Sequence, residues 1–304
     1  AQELFALGRT SEALALMNQL WEMDSTWLSP QVDKLSALYI LDRLAEADST
    51  WAYLDARKNR LTRLERASLE WIHAWIIGDL ELEYRAASEG VEADPFGWAY
   101  GAAVTCSRSN RLEEALEHIS RRDTTTAFGQ DWNSWSSVHF GVLARMGRYD
   151  GALEVTRQGR RFRPDSWGHL GREFEILAAM GRRADVHALI GVARTFPTTN
   201  TWSAAEALRR AARVAAGTGQ GEDAEYYADL GMEETARLEG DTRYLRGRIL
   251  AMAERWGEAE PLLREGLEEG DGLEDGLNRM GNLGWVLARS GKRGSGASTS
   301  AWIP

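Results

Sequence analysis

The 304-residue chain is 43% hydrophobic and 27% charged, which is enough apolar content to bury a core and excludes a disordered segment. Its 36 Lys and Arg against 46 Asp and Glu leave a formal net charge of -10, which argues against a broad nucleic-acid surface. The single Cys106 excludes an internal disulfide and a thiolate zinc site. No apolar run approaches the length of a membrane span, and AQELFALGRT lacks the basic start and apolar stretch of a signal peptide, so the expected location is cytoplasmic.

The chain opens without Met inside a helical pattern (Leu4, Leu7, then Gly8), which reads as a fragment whose N-terminus lies upstream. From there a turn residue, charged residues and Ala recur in order: Gly8 (GRTSEAL), Asp42 (DRLAEA), Gly78 (GDLELEY), Asn110 (NRLEEAL), Gly147 (GRYDGAL), Gly181 (GRRADV), Gly219 (GQGEDAE), Glu254 (ERWGEAE) and Gly291 (GKRGSG). Their separations run from 32 to 38 residues, close to one fixed period. Ala stands fifth after the turn at Ala13, Ala47, Ala115, Ala152, Ala224 and Ala259, with Glu83 and Val186 as exceptions. Two helices that approach closely have room for one methyl where they cross. Pro95, Pro164 and Pro197 close the second helix of three units.

The segments before the turns carry apolar residues three and four apart, as in SWSSVHFGVLARM, GHLGREFEILAAM and LNRMGNLGWVLARS. Two such helices cannot bury that stripe alone, so neighbouring hairpins must stack. The acidic stretch Glu268 to Gly276 lacks the ligand order of a calcium loop and reads as a solvated connection. Residues 292–304 (KRGSGASTSAWIP) show no helical period and are expected to form an irregular tail.

Signatures of catalysis are missing. Gly291-Lys292 is followed by Arg293 without the preceding glycine of a phosphate loop, and GTGQGE from Gly217 to Glu222 fails the dinucleotide fingerprint at its last place. His73, His118, His139, His169 and His187 are scattered without the spacing of helical metal ligands. The reading is therefore of a protein that is not an enzyme and that uses no cofactor or metal.

This pattern resembles the tetratricopeptide repeat family over about residues 1–291, most closely at Gly147 to Pro164 and at Leu283-Gly284. Trp is displaced from its usual first-helix place, with Trp98 and Trp167 three residues after Pro95 and Pro164. The resemblance implies an all-α, right-handed α-solenoid of about eight helix-turn-helix repeats that acts as a scaffold for a protein or peptide partner in its concave groove. The alternative is a regulatory or substrate-recruiting region of a larger enzyme or transcriptional regulator, of kinase or winged-helix type, whose N-terminal domain is missing. The family's register places in the groove the residues 13, 10, 6 and 3 before each turn. Before Gly219 these are Glu206, Arg209, Arg213 and Ala216; before Glu254, Asp241, Tyr244, Arg248 and Ala251; before Gly291, Asn278, Gly281, Trp285 and Ala288. Arg209, Arg213, Tyr244, Arg248 and Trp285 are the expected partner-binding residues, suited to an acidic or carboxylate-bearing segment unless Glu206 and Asp241 neutralise the arginines locally. Two further basic sets, Arg57, Lys58, Arg60, Arg63 and Arg66, and Arg157, Arg160, Arg161 and Arg163, do not single out nucleic acid.

Overall fold

The computed structural model describes residues 4, 9–121, 133–199, 202–268 and 273–289. The turns expected at Gly8 and Gly291, residues 269–272 of the connection expected from Glu268 to Gly276, and the 292–304 tail lie outside the described residues, while 273–276 begin the last helix instead of a loop. All regular structure among the described residues is helical. The chain divides into two compact units, 1–148 and 149–304.

The first unit contains α1 (Thr10–Met23), α2 (Ser29–Ile40), α3 (Leu44–Asp55), α4 (Arg63–Ile77), α5 (Leu80–Ala93), α6 (Ala99–Arg108), α7 (Leu112–Ser120) and α8 (Asn133–Arg145). The second contains α9 (Tyr149–Phe162), α10 (Trp167–Ala179), α11 (Arg183–Ala193), α12 (Ala204–Gly217), α13 (Gly221–Thr235), α14 (Arg243–Met252), α15 (Trp256–Glu268) and α16 (Leu273–Arg289). Within each unit a helix packs mainly on its neighbours in sequence, and alternate helices touch, as α2 with α4 and α10 with α12 with α14. Each unit is thus a helical-hairpin repeat array.

One local device makes the hairpins. Asp42, Gly78, Asn110, Gly147, Gly181, Gly219 and Glu254 all have left-handed backbone, with φ from 56° at Asp42 to 80° at Gly219. Glycine adopts this freely, Asn and Asp at modest cost, and Glu254 against its steric preference. After each, the next N–H reaches back five residues. The bonds are Arg43 to Leu38, Asp79 to Ala74, Arg111 to Cys106, Arg148 to Leu143, Arg182 to Leu177, Gln220 to Ala215 and Arg255 to Leu250, all between 2.8 and 3.0 Å. These are Schellman caps, which satisfy a last-turn carbonyl and reverse the chain. The following Arg then pairs three residues on, Arg43 with Glu46 and Arg255 with Glu258, placing an acid in the first turn of the next helix. Such exposed pairs contribute a few tenths of a kcal/mol each.

The six alanines at the fifth position after the turns are 0 to 3% exposed, and Glu83 and Val186 are fully buried in the same place. Glu83 is accommodated by chemistry that replaces a methyl contact. The Thr105 hydroxyl donates to its Oε1 at 2.9 Å and accepts from Trp71 Nε1 at 2.8 Å. Arg108 Nη1 stands 3.0 Å from Oε2, an ion-pair contact that lies off the hydrogen-bonding angle. The aromatic residues fill the spaces between hairpins. Trp167 Nε1 donates to the Pro197 carbonyl at 2.8 Å, Tyr39 meets Trp75 edge-on at 5.1 Å, and Trp202 sits against Gly171, where a Cβ would lie 2.5 Å from its ring.

Candidate functional site

In the second unit, α10, α12 and α14 lie side by side and bring arginines from different hairpins to one face. α12 is capped by Ser203, whose Oγ accepts from the Glu206 N–H at 3.1 Å, and its Ala-rich sequence lets it sit close to its neighbours. Glu206 and Arg209 are both 7% exposed and joined by two bonds, Nε to Oε2 at 2.8 Å and Nη2 to Oε1 at 2.7 Å. Burial alone would raise the Glu206 carboxyl. The Arg209 bonds and the charges of Arg209, Arg248 and Arg210 outweigh it and hold the group below the ordinary carboxylate range.

Arg248, on α14, approaches Glu206 only to 3.8 Å and lies over the Tyr244 ring at 5.6 Å. Burial lowers the pKa of its guanidinium, Arg209 adds to the effect, and Glu206 opposes it. Tyr244 accepts a bond from Asn282 Nδ2 of α16 at 2.8 Å. On the other side of α12, Arg210 Nη1 and Arg213 Nη2 both reach Oε1 of Glu175 at 3.4 Å, and Arg210 also reaches Glu206 at 3.2 Å. The Arg210 guanidinium lies 4.2 Å over the Trp202 ring. Arg172 of α10 joins the set electrostatically: burial lowers its pKa, Arg210 adds to this, and Glu175 opposes it.

The five residues singled out from the sequence therefore have different standing. Arg213 is 57% exposed at its side chain and Arg248 27%, whereas Arg209 is committed to Glu206 in a buried pair. Trp285 is 40% exposed and packs edge-on against Trp256 at 5.1 Å. Asp241, expected near the arginines, pairs with Arg243 at 2.8 Å. The register missed Arg210, Glu175, Arg172 and Trp202. The adjacent pair Arg209-Arg210 was a visible signal, since neighbours on a helix point about 100° apart and Arg210 therefore also reaches Glu175 of the preceding hairpin.

The other basic sets are largely taken up locally. Arg157 and Arg160 both bind the buried Glu173, and Arg161 stands 3.7 Å from Glu154. In the first unit, Lys58 pairs with Glu70, Arg63 with Glu92, Arg57 lies over Tyr53, and Arg66 donates to the Leu61 carbonyl at 2.7 Å. Among the described residues no cluster of three His, Cys, Asp or Glu is placed to hold a metal ion, and no helix is long and apolar enough to cross a membrane.

No family model matches the chain, and no curated protein does. Among solved structures, a tetratricopeptide repeat protein from Parabacteroides merdae ATCC 43184 is similar at 12% identity, over 83% of this chain and 95% of that one, with a TM-score of 0.46. The P58(IPK) TPR domain is similar at 12% identity, over 96% of this chain and 97% of that one, with a TM-score of 0.31. The repeat fold stands on the hairpins and the seven left-handed turns themselves.

Proposed function

We propose that the chain is a non-catalytic protein-interaction module, and that α10, α12, α14 and α16 hold an acidic segment of a protein partner. Arg213, Arg248 and Arg209 supply the positive field, Tyr244 an apolar wall and Trp285 an exposed aromatic anchor. The observation that carries this reading is local charge. On a chain of net charge -10, Arg209, Arg210, Arg213 and Arg248 face Glu175 and Glu206, an excess of two positive charges among these residues. Such a patch steers and orients an acidic partner more than it adds raw affinity.

The test is fluorescence anisotropy of labelled dodecamer pools, one enriched in Asp and Glu and one uncharged, against the chain and its Arg213→Ala/Arg248→Ala variant. The acidic pool is expected to bind the unaltered chain preferentially and to lose about tenfold in the variant, the scale of a charge-assisted bond. Equal affinity of the two proteins for the acidic pool refutes the site.

A further inference from the structure

The two carboxylates on this face are used very unequally. Glu206 and Arg209 make a matched fork at 2.7 and 2.8 Å, with both oxygens and two nitrogens engaged. Glu175 instead offers one oxygen to two guanidinium groups, each at 3.4 Å, well beyond the 2.7 to 2.9 Å usual for an ionised pair. Arg248 stands 3.8 Å from its carboxylate, outside hydrogen-bonding distance. Three arginine forks on one face are thus only partly satisfied by the protein.

Two of the three heads are also placed in advance. Arg210 lies over Trp202, and Trp202 is held against Gly171, where no side chain would fit. Arg248 lies over Tyr244, whose hydroxyl is held by Asn282. An arginine stacked on an aromatic ring loses less freedom when its fork meets an anion. Because Arg210 contacts both Glu175 and Glu206, it links Arg213 on one side to Arg248 on the other. A carboxylate brings one charge and two acceptor oxygens to this set. A phosphoryl group brings nearly two charges and three oxygens, which suits a set of arginines linked through Arg210 better than a single charge does.

We infer that Arg210, Arg213 and Arg248 form a receptor for a phosphorylated side chain of the partner polypeptide. This deepens the preceding reading and rests on it. The Trp202 and Tyr244 rings set the direction of two of the forks, and Glu175 keeps Arg210 and Arg213 together when no ligand is bound.

The experiment uses the full chain and three labelled dodecamer pools that differ only in a fixed central residue: phosphoserine, Glu or Ser. The phosphoserine pool is expected to bind about tenfold tighter than the Ser pool and several-fold tighter than the Glu pool, in line with the greater charge and acceptor count. Arg213→Ala and Arg248→Ala should each remove most of that preference. Arg213→Lys, which keeps the charge on an exposed side chain and loses the fork, should keep Glu-pool binding and lose the phosphoserine advantage. Melting curves of each variant confirm that it is folded. If the unaltered chain binds the Glu pool as tightly as the phosphoserine pool and both depend on the arginines, the phosphoryl inference fails and the acidic-segment reading stands. If no pool responds to the arginine substitutions, both fail.

Discussion

Thr105→Val isolates one consequence of placing Glu83 where six hairpins have alanine. The substitution is nearly isosteric and opens no cavity, but it removes the hydroxyl that donates to the buried Glu83 carboxylate at 2.9 Å and accepts from Trp71 at 2.8 Å. A hydrogen bond to a charged group contributes about 1.5 to 3 kcal/mol and a neutral one about 1 kcal/mol, and here both partners are left without it. The loss should total about 3 kcal/mol, reduced slightly by the added methyl in an apolar site. In a unit of this size that is a fall of roughly 6 to 12 °C in the midpoint of its thermal transition. Glu83→Ala supplies the control, since it restores the alanine of those six hairpins and removes the group that needs the hydroxyl. In that background Thr105→Val should cost only about 1 kcal/mol, the Trp71 bond alone, giving a coupling near 2 kcal/mol in a double-mutant cycle. Urea and thermal unfolding followed by circular dichroism measure all four proteins. A neutral Thr105→Val, or a coupling below about 0.5 kcal/mol, would show that the Trp71, Thr105 and Glu83 chain does not stabilise the first unit.

Three further outcomes are expected. Gly171→Ala places a methyl 2.5 Å from the Trp202 ring; overpacking should outweigh the helix-propensity gain, destabilise by about 1 to 2 kcal/mol and shift tryptophan emission, whereas an unchanged spectrum and melt would mean the ring yields freely. Tyr227 is fully buried with its hydroxyl unpartnered, and burial pushes its pKa up to about 12. Tyr227→Phe should therefore stabilise the second unit by about 1 kcal/mol in denaturant titration, and a loss of stability would reveal a role for the hydroxyl. Burial first, then Arg172 and Arg163, lowers the His169 pKa from 6.5 to about 4. The unfolded chain then binds the extra proton between these values, so stability should fall as pH drops from 6.5 toward 4, and His169→Gln should flatten that part of the profile. An identical pH profile for the variant would remove His169 as its source.

What sequence alone could determine here was local. A left-handed turn and its cap involve residues within six of one another, so Gly78, Gly147, Gly181 and Gly219 announce themselves by residue type, and Asp42 and Asn110 nearly as well. Glu254 is legible only by its place in the period, because nothing in its side chain favours φ of 58°. The small residue at each crossing is equally readable, since the limit is one of space between consecutive helices. Which arginines remain open to a partner was decided by tertiary structure. Arg209 and Arg213 both stand at expected groove positions of the register, yet Glu206 lies one turn from Arg209 on the same helix and engages it by two bonds, while Arg213 and Arg210 share an oxygen of Glu175 from the preceding hairpin. Those Glu175 bonds join residues 35 and 38 apart. Their lengths depend on how α10 and α12 pack and how each side chain turns, and long flexible side chains leave that choice unmade until the hairpins stack.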